Sequence, residues 1–126
     1  MIKKIFIIDD YERNLRLYKA TFNGAPNLDI ITERDGIKGL EMLKESNPDL
    51  IILDYKLTNI TGVEICKELR KIEKFKDIPI IMVSSTPIEK DVDRATYFKE
   101  AGFNLYFSKP INIKKFREII KNLLFK

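Results

Sequence analysis

The stretch Ile5-Phe6-Ile7-Ile8-Asp9-Asp10 decides the fold: an unbroken apolar run stopped by two acids. A half-exposed strand would alternate apolar and polar positions, so a continuous run fits a strand buried on both faces, as in a parallel sheet covered by helices. The pattern returns downstream. Leu50-Ile51-Ile52-Leu53 stops at Asp54, Ile80-Ile81-Met82-Val83 stops at Ser84, and Leu105-Tyr106-Phe107-Ser108 stops at Lys109. If these runs are neighbouring parallel strands, three acids, a hydroxyl and an ammonium meet at one sheet edge, the edge where open α/β sheets bind ligands. Such a set suits a divalent cation and a phosphoryl group.

Between the runs the apolar residues fall three and four apart, the helical spacing. Leu15, Tyr18 and Phe22 predict a helix from Asp10 to Phe22, stopped by Asn23-Gly24-Ala25-Pro26-Asn27. A short strand from Leu28 to Thr32 and a turn at Asp35-Gly36 lead to a helix from Ile37 to about Ser46, with Ile37, Leu40, Met42 and Leu43 inward. After a third strand, Asp49 to Tyr55, a loop ends at Gly62 and a helix runs to about Lys74, its mixed face carrying Val63, Cys66, Leu69 and Arg70. Pro79 precedes the fourth strand, and after Ser84-Ser85-Thr86-Pro87 a helix runs from about Ile88 to Ala101, where Gly102 ends it. The fifth strand spans Phe103 to Ser108. The last helix spans about Asn112 to Leu124, with Asn112 as N-cap and Ile113, Phe116, Ile119, Ile120 and Leu123 inward. Five strands alternating with five helices make one α/β domain over residues 1–126, built on a doubly wound parallel sheet.

Composition excludes several classes of function. The net charge of +4, from 23 Lys and Arg against 19 Asp and Glu, is spread over helix faces and forms no basic stripe, so no nucleic-acid partner is expected. No apolar stretch approaches the roughly 20 residues that span a bilayer. The apolar run after Lys3-Lys4 is too short for a signal-peptide core, so a cytoplasmic location without a membrane partner is expected. Cys66 is the single cysteine and the chain has no histidine, which removes an internal disulfide and any Cys/His metal site. A small apolar role on a helix is expected for it.

Asp9-Asp10 after the first strand, Asp54 after the third, Ser84 after the fourth and Lys109-Pro110 after the fifth together resemble the receiver domains of two-component response regulators, the CheY-like family with a flavodoxin-like (βα)5 fold. The likeness runs from about Lys3 to Leu124. It implies strand order 2-1-3-4-5, with Asp54 accepting a phosphoryl group from a phosphohistidine of a histidine kinase. It implies Mg2+, or Mn2+ in its place, held by Asp10, the Asp54 side chain and the backbone carbonyl of Lys56, with Asp9 acting through water. Lys109 would pair with the phosphoryl oxygens and Ser84 would donate a hydrogen bond to one of them. Ser84 and Tyr106 would form the switch that alters the surface of the fourth helix, fifth strand and fifth helix, where an unidentified protein target binds. The Lys109-Pro110 bond is expected to be cis, and the Lys56 side chain to modulate the lifetime of the aspartyl phosphate.

Chemistry makes these roles reasonable. A carboxylate is a weak nucleophile, and attack on phosphorus needs the charge of both partners screened by a cation and an ammonium. Three adjacent carboxylates are unfavourable until a hard cation lies among them. Singly, each residue has a plainer role: Asp9-Asp10 as a helix cap, Asp54 as a loop acid, Ser84 as a turn residue, Lys109 as a solvated strand end, Tyr106 as an edge aromatic. Their joint placement favours the site.

Two positions depart from the family pattern, Thr58 where many receivers have proline and Ser84 where threonine is more frequent. With the last helix running to Phe125-Lys126, the chain is expected to signal through a partner, as a monomer or a phosphorylation-dependent dimer, and to be a switch rather than a turnover enzyme. Alternatives are a phosphorelay intermediate that passes the phosphoryl group to a histidine phosphotransfer protein, with Lys56 similar to the lysine of such a carrier, and a phosphorylation-independent binding module. A flavin module fits poorly, because Asp9-Asp10-Tyr11-Glu12 repels a bare phosphate. A dehalogenase-like phosphatase wants an acid two residues past its nucleophile, where Asp54 has Lys56.

Overall fold

A computed structural model describes residues 2–85 and 92–125. The elements in chain order are β1 (Lys3–Ile8), α1 (Glu12–Thr21), β2 (Leu28–Glu33), α2 (Gly36–Lys44), β3 (Leu50–Asp54), α3 (Gly62–Arg70), a 3-10 turn (Glu73–Phe75), β4 (Ile80–Ser84), α4 (Val92–Ala101), β5 (Leu105–Ser108) and α5 (Ile113–Leu124). All strand pairs are parallel, in the order β2-β1-β3-β4-β5. This is the doubly wound parallel sheet and the order 2-1-3-4-5 expected from the sequence.

The continuous apolar runs serve two cores at once, because successive strand residues point to opposite faces. Phe6, Ile8, Ile51, Leu53, Ile80 and Met82 pack with Leu40, Leu43, Val63, Leu69, Phe98 and Phe103 on the side covered by α2, α3 and α4. The intervening Ile5, Ile7, Leu50, Ile52, Ile81 and Val83 pack with Leu15, Tyr18, Phe22, Phe116 and Ile120 under α1 and α5. All of β3 and β4 is buried. No helix among the described residues is long and apolar enough to cross a membrane.

The inward face of α2 differs from expectation. Ile37 is 47% exposed, and the buried positions are Gly36, Gly39, Leu40 and Leu43. Two glycines occupy inward places because the helix backbone runs close to its neighbours: a Cβ on Gly39 would lie 2.5 Å from Ile8 Cδ1, and one on Gly36 2.5 Å from Ile60 Cγ2. The face thus rotates one residue back from Ile37. Ile113 is also more open than expected, at 37% exposure, because it sits in the first turn of α5; Phe116, Ile120 and Leu124 are the buried residues. Asn112 is the N-cap as expected, its Oδ1 accepting from Lys115 N at 3.1 Å.

Several boundaries move for local reasons. α3 stops at Arg70, and a separate 3-10 turn follows that buries Phe75. Phe103, expected to open the fifth strand, lies in the turn after α4, its N–H donating back to Phe98 O at 3.2 Å after Gly102 turns the chain at φ +112°. The predicted start of the fourth helix at Ile88, with Thr86-Pro87, lies outside the described residues. Cys66 is buried in α3, its thiol donating to Ala101 O at 3.4 Å. Burial pushes that thiol up to about 11 against the opposing pull of Arg70, so it stays protonated at neutral pH.

Candidate functional site

Parallel register places the polar residues. Ile8 pairs with Leu53, so Asp9, one residue on, comes level with Asp54; Asp54 pairs with Val83, and Ser84 with Ser108. The chain then leaves each strand by a fixed turn. Asp9 Oδ1 accepts from Tyr11 N at 3.0 Å, an Asx-type turn that starts α1. The helix-cap role open to Asp9-Asp10 is not taken up: the N-cap of α1 is Tyr11, with no side-chain cap, and Asp9 instead holds the turn that leads to it. After β5, Lys109 N donates to Ser84 O at 2.7 Å, and the Lys109–Pro110 peptide bond is cis.

The loop from β3 to α3 is tied down more firmly. Gly62 N donates to Tyr55 O at 2.9 Å, and Lys56 bridges to Thr61 in antiparallel fashion. Thr61 closes a capping box with Glu64, each donating its N–H to the other's side chain at 3.1 Å. Lys56 and Leu57 are thereby held over the end of β3.

These turns enclose a cleft of about 190 Å3 lined by Asp10, Asp54, Lys56, Ser84 and Lys109 among others. Asp9, Asp10 and Asp54 each offer a carboxylate oxygen within 4.8 Å of the other two. Asp9, Asp54 and Ser84 are buried, at 1%, 6% and 2% exposure, although charged and hydroxyl groups ordinarily stay in solvent. Lys109 Nζ lies 3.4 Å from both Asp9 Oδ2 and Asp54 Oδ1, bridging two of the three carboxylates with a single positive charge. Two negative charges remain in excess. Asp10 Oδ1 is buried with no hydrogen-bond partner among the described residues. A buried carboxylate oxygen without a donor is costly, and a hard divalent cation on oxygen ligands would satisfy it. The residues present fit such an ion.

Tyr106 lies outside the cleft. It is half-buried against the core under α4, its ring 6.1 Å from Phe98. Phe107 turns to the other face and meets Phe116 edge-on at 5.1 Å, so the alternation of β5 leaves Tyr106 facing α4. Tyr55, next to Asp54, also packs edge-on to Phe98 at 5.4 Å.

Three further residues complete the site; Asn14 and Arg34 carry no clear signal in the sequence, and Thr58 shows there only as a missing proline. Asn14 Nδ2 donates to both oxygens of Asp9, at 3.3 and 3.1 Å. Thr58 Oγ1 donates to Asp10 Oδ2 at 3.2 Å, and Arg34 Nη2 to Asp10 O at 3.4 Å. Asn14 adjoins the inward stripe of α1, where a polar residue pointing to the strand ends would be the only clue.

Burial raises the Asp54 carboxyl from 3.8 to about 6, with the charge of Asp9 and then of Asp10 adding to it and Lys109 opposing. Proton uptake by Asp54 therefore adds stability that is fully present below pH 3.8 and is lost as pH rises through about 6. The shift is equivalent to about 3 kcal/mol, reduced to about 2 kcal/mol by solvent screening at the open cleft. In chelator-treated buffer, Asp54→Asn should accordingly gain stability over the wild type between pH 4 and pH 7. A pH-independent difference in urea unfolding free energies would contradict this origin. Burial, followed by the charges of Asp9 and Asp54, also pushes the Tyr18 hydroxyl up, so it stays protonated.

Comparison with known proteins agrees with this architecture. The family profile described as response regulator receiver domain matches residues 5–121. The polar-differentiation response regulator DivK of Brucella ovis is 33% identical over 124 residues, covering 98% of each chain. The chemotaxis response regulator CheY4 of Vibrio cholerae superposes with a TM-score of 0.87 at 23% identity, over 98% of this chain and 99% of that one. The receiver domain of a sensor histidine kinase from Pseudomonas aeruginosa, with magnesium coordinated in its active-site cleft, superposes with a TM-score of 0.84 at 21% identity over 100% of both chains. The two structural likenesses speak for the fold, whereas the profile and the sequence relative speak for ancestry. The chain belongs to the receiver domains of response regulators in two-component signalling.

Proposed function

We propose that Asp54 accepts a phosphoryl group from a phosphohistidine of a histidine kinase, in a Mg2+-dependent step, and that the phosphorylated domain acts as a switch on a protein partner. The observation that carries the proposal is the placement of Asp54 at the foot of an open cleft, between the Lys109 ammonium and two further carboxylates. One Asp54 oxygen attacks phosphorus, the P–N bond breaks, and its electron pair passes to the imidazole nitrogen. Hydrolysis undoes the transfer: water attacks phosphorus, the P–O bond to Asp54 breaks with its electron pair returning to the carboxylate, and inorganic phosphate leaves with the water's oxygen while a proton passes to solvent.

The residues divide the work. Lys109, 3.4 Å from Asp54 Oδ1, would transfer its pairing to the incoming phosphoryl oxygens. Ser84, buried beside the cleft, would donate its hydroxyl to one of them. Asp10, Asp54 and the carbonyl of Lys56 would hold Mg2+, with Asp9 acting through water. When bound, the ion screens the carboxylates and polarises a phosphoryl oxygen. The magnesium in the cleft of the sensor-kinase receiver domain supports this choice of metal. Arg13 and Arg16 flank the approach together with Lys109, and they favour an anionic donor. The side chain of Lys56, exposed at the mouth, would govern access of water and hence the phosphate lifetime.

The switch would run through Ser84 and Tyr106 to the face of α4, β5 and α5. The contact of Tyr106 with Phe98 supports that route, since a shift of one ring must be felt by the helix carrying the other.

Intact-protein mass spectrometry after incubation with acetyl phosphate tests the proposal. A single Mg2+-dependent phosphoryl addition that Asp54→Asn lacks is the expected result. No addition from either acetyl phosphate or a phosphorylated kinase, or an undiminished addition in Asp54→Asn, would overturn it.

A further inference from the structure

The three carboxylates of the cleft are not equally supplied with donors. Asp9 has both oxygens taken: Oδ1 accepts from Tyr11 N and Asn14 Nδ2, and Oδ2 from Asn14 Nδ2 and Lys109 Nζ. Asp10 is divided. Its Oδ2 accepts from the Thr58 hydroxyl at 3.2 Å, whereas its Oδ1 is buried with no partner among the described residues. A carboxylate with no donor on either oxygen turns freely about its Cβ–Cγ bond, whereas a donor on one oxygen fixes the plane of the group and with it the direction in which the other oxygen points.

The donor itself is held. Thr58 lies 48 residues beyond Asp10, in the β3–α3 loop that the Gly62–Tyr55 hydrogen bond and the Lys56–Thr61 bridge fasten to the end of β3. The β1–α1 turn carrying Asp10 is steadied by Arg34, whose guanidinium donates to Asp10 O. A group anchored on the strand of the phosphoacceptor thus fixes the carboxylate at the end of the neighbouring strand.

We propose that Thr58 is a positioning residue for the metal: its hydroxyl pins Asp10 Oδ2 so that the buried Oδ1 is presented as a ligand. The proposal rests on the metal-binding role given to Asp10 above. Outer donors to a ligand are commonly worth ten- to a hundredfold in metal affinity, because they remove the rotation that binding would otherwise freeze. Magnesium is the ion that should be most sensitive, since it demands near-ideal octahedral geometry, whereas calcium accepts irregular oxygen shells.

Calorimetric titration of Mg2+ and Ca2+ into the chelator-treated protein separates the possibilities. Thr58→Val keeps the shape and the net charge and deletes the hydroxyl. It should weaken Mg2+ binding on the order of tenfold and Ca2+ binding by clearly less, and Thr58→Ser should restore Mg2+ affinity to within about twofold of wild type. Melting temperatures in chelator should be alike for all three proteins, because Thr58 is exposed. Asp10→Asn should abolish Mg2+ binding. Wild-type Mg2+ affinity in Thr58→Val, alongside a failed Asp10→Asn, would overturn the positioning role and leave the metal site standing. Equal losses for the two ions, or no rescue by serine, would overturn it as well. Absence of Mg2+ binding by the wild type would remove the metal site and the proposal together.

Discussion

Gly62→Ala should destabilise the protein by about 3 kcal/mol, the upper range for overpacking a filled site. A Cβ at this position would overlap the carbonyl oxygen of Asp54 and lie 3.2 Å from its carbonyl carbon. Both atoms are backbone at the end of a fully buried central strand, so no side-chain rotation can relieve the overlap. Relief requires either β3 to shift or the start of α3 to lift, breaking the 2.9 Å bond from Gly62 N to Tyr55 O and disturbing the Thr61–Glu64 capping box. Either movement displaces Asp54 from Lys109. Phosphorylation by acetyl phosphate should slow by at least about tenfold, since misplacement of a reacting group by about 1 Å can cost a hundredfold. Gly39→Ala is the matched control: its nearest contact is Ile8 Cδ1, the tip of a flexible side chain, and about 1 kcal/mol is expected. Urea unfolding of the two variants checks the ranking, and equal losses would refute it.

Arg70→Ala should cost about 4 kcal/mol, through several carbonyls left without a donor and the lost packing of the arginine stem. Its guanidinium donates to Phe75 O at 2.6 Å, Ile78 O at 2.8 Å, Gly102 O at 2.8 and 3.1 Å, and Asn104 Oδ1 at 2.9 Å. Asn104 Oδ1 in turn accepts from Ile80 N at 2.8 Å. One side chain thus joins the end of α3, the 3-10 turn, the approach to β4 and the end of α4, on the sheet edge opposite the cleft. Arg70→Lys should recover less than about half of the loss, because a single ammonium cannot reproduce the planar fork that serves these acceptors together. The phosphorylation rate of either variant, measured well below its melting temperature, should match wild type. A loss under about 1 kcal/mol for Arg70→Ala would show that water replaces the guanidinium at these carbonyls.

What could be read from the sequence follows from what has a period or a sharp stop. Strands buried on both faces are continuous apolar runs, and Asp9, Asp54, Ser84 and Lys109 each end one, so sheet and cleft were visible together. Contacts made by backbone proximity leave no such trace. Gly36 and Gly39 are core residues of α2 because a Cβ there would crowd the side chains of Ile60 and Ile8, and no hydrophobic pattern reports that, so Ile37 reads as the better candidate. Arg70 looked like one member of a mixed helix face, whereas its partners lie in three later segments. Thr58 stood out in the sequence as a missing proline, and only folding shows its hydroxyl on Asp10. Ile113 carried the right angular position on α5 and lost its cover by falling in the first turn.

The two-sided core bears on how disturbances spread. The buried side chains under α1 and α5 and those under α2, α3 and α4 form separate clusters divided by the thickness of the sheet. A substitution within one cluster reaches the other through strand backbone, the stiffest part of the molecule, so the sheet works as a bulkhead. The strand ends are where this insulation fails: Lys109 leaves β5 over the α1 and α5 side, and Tyr55 follows Asp54 onto Phe98 of α4. A charge added at Asp54 would therefore press on both compartments at once, although each compartment can drift in sequence without informing the other.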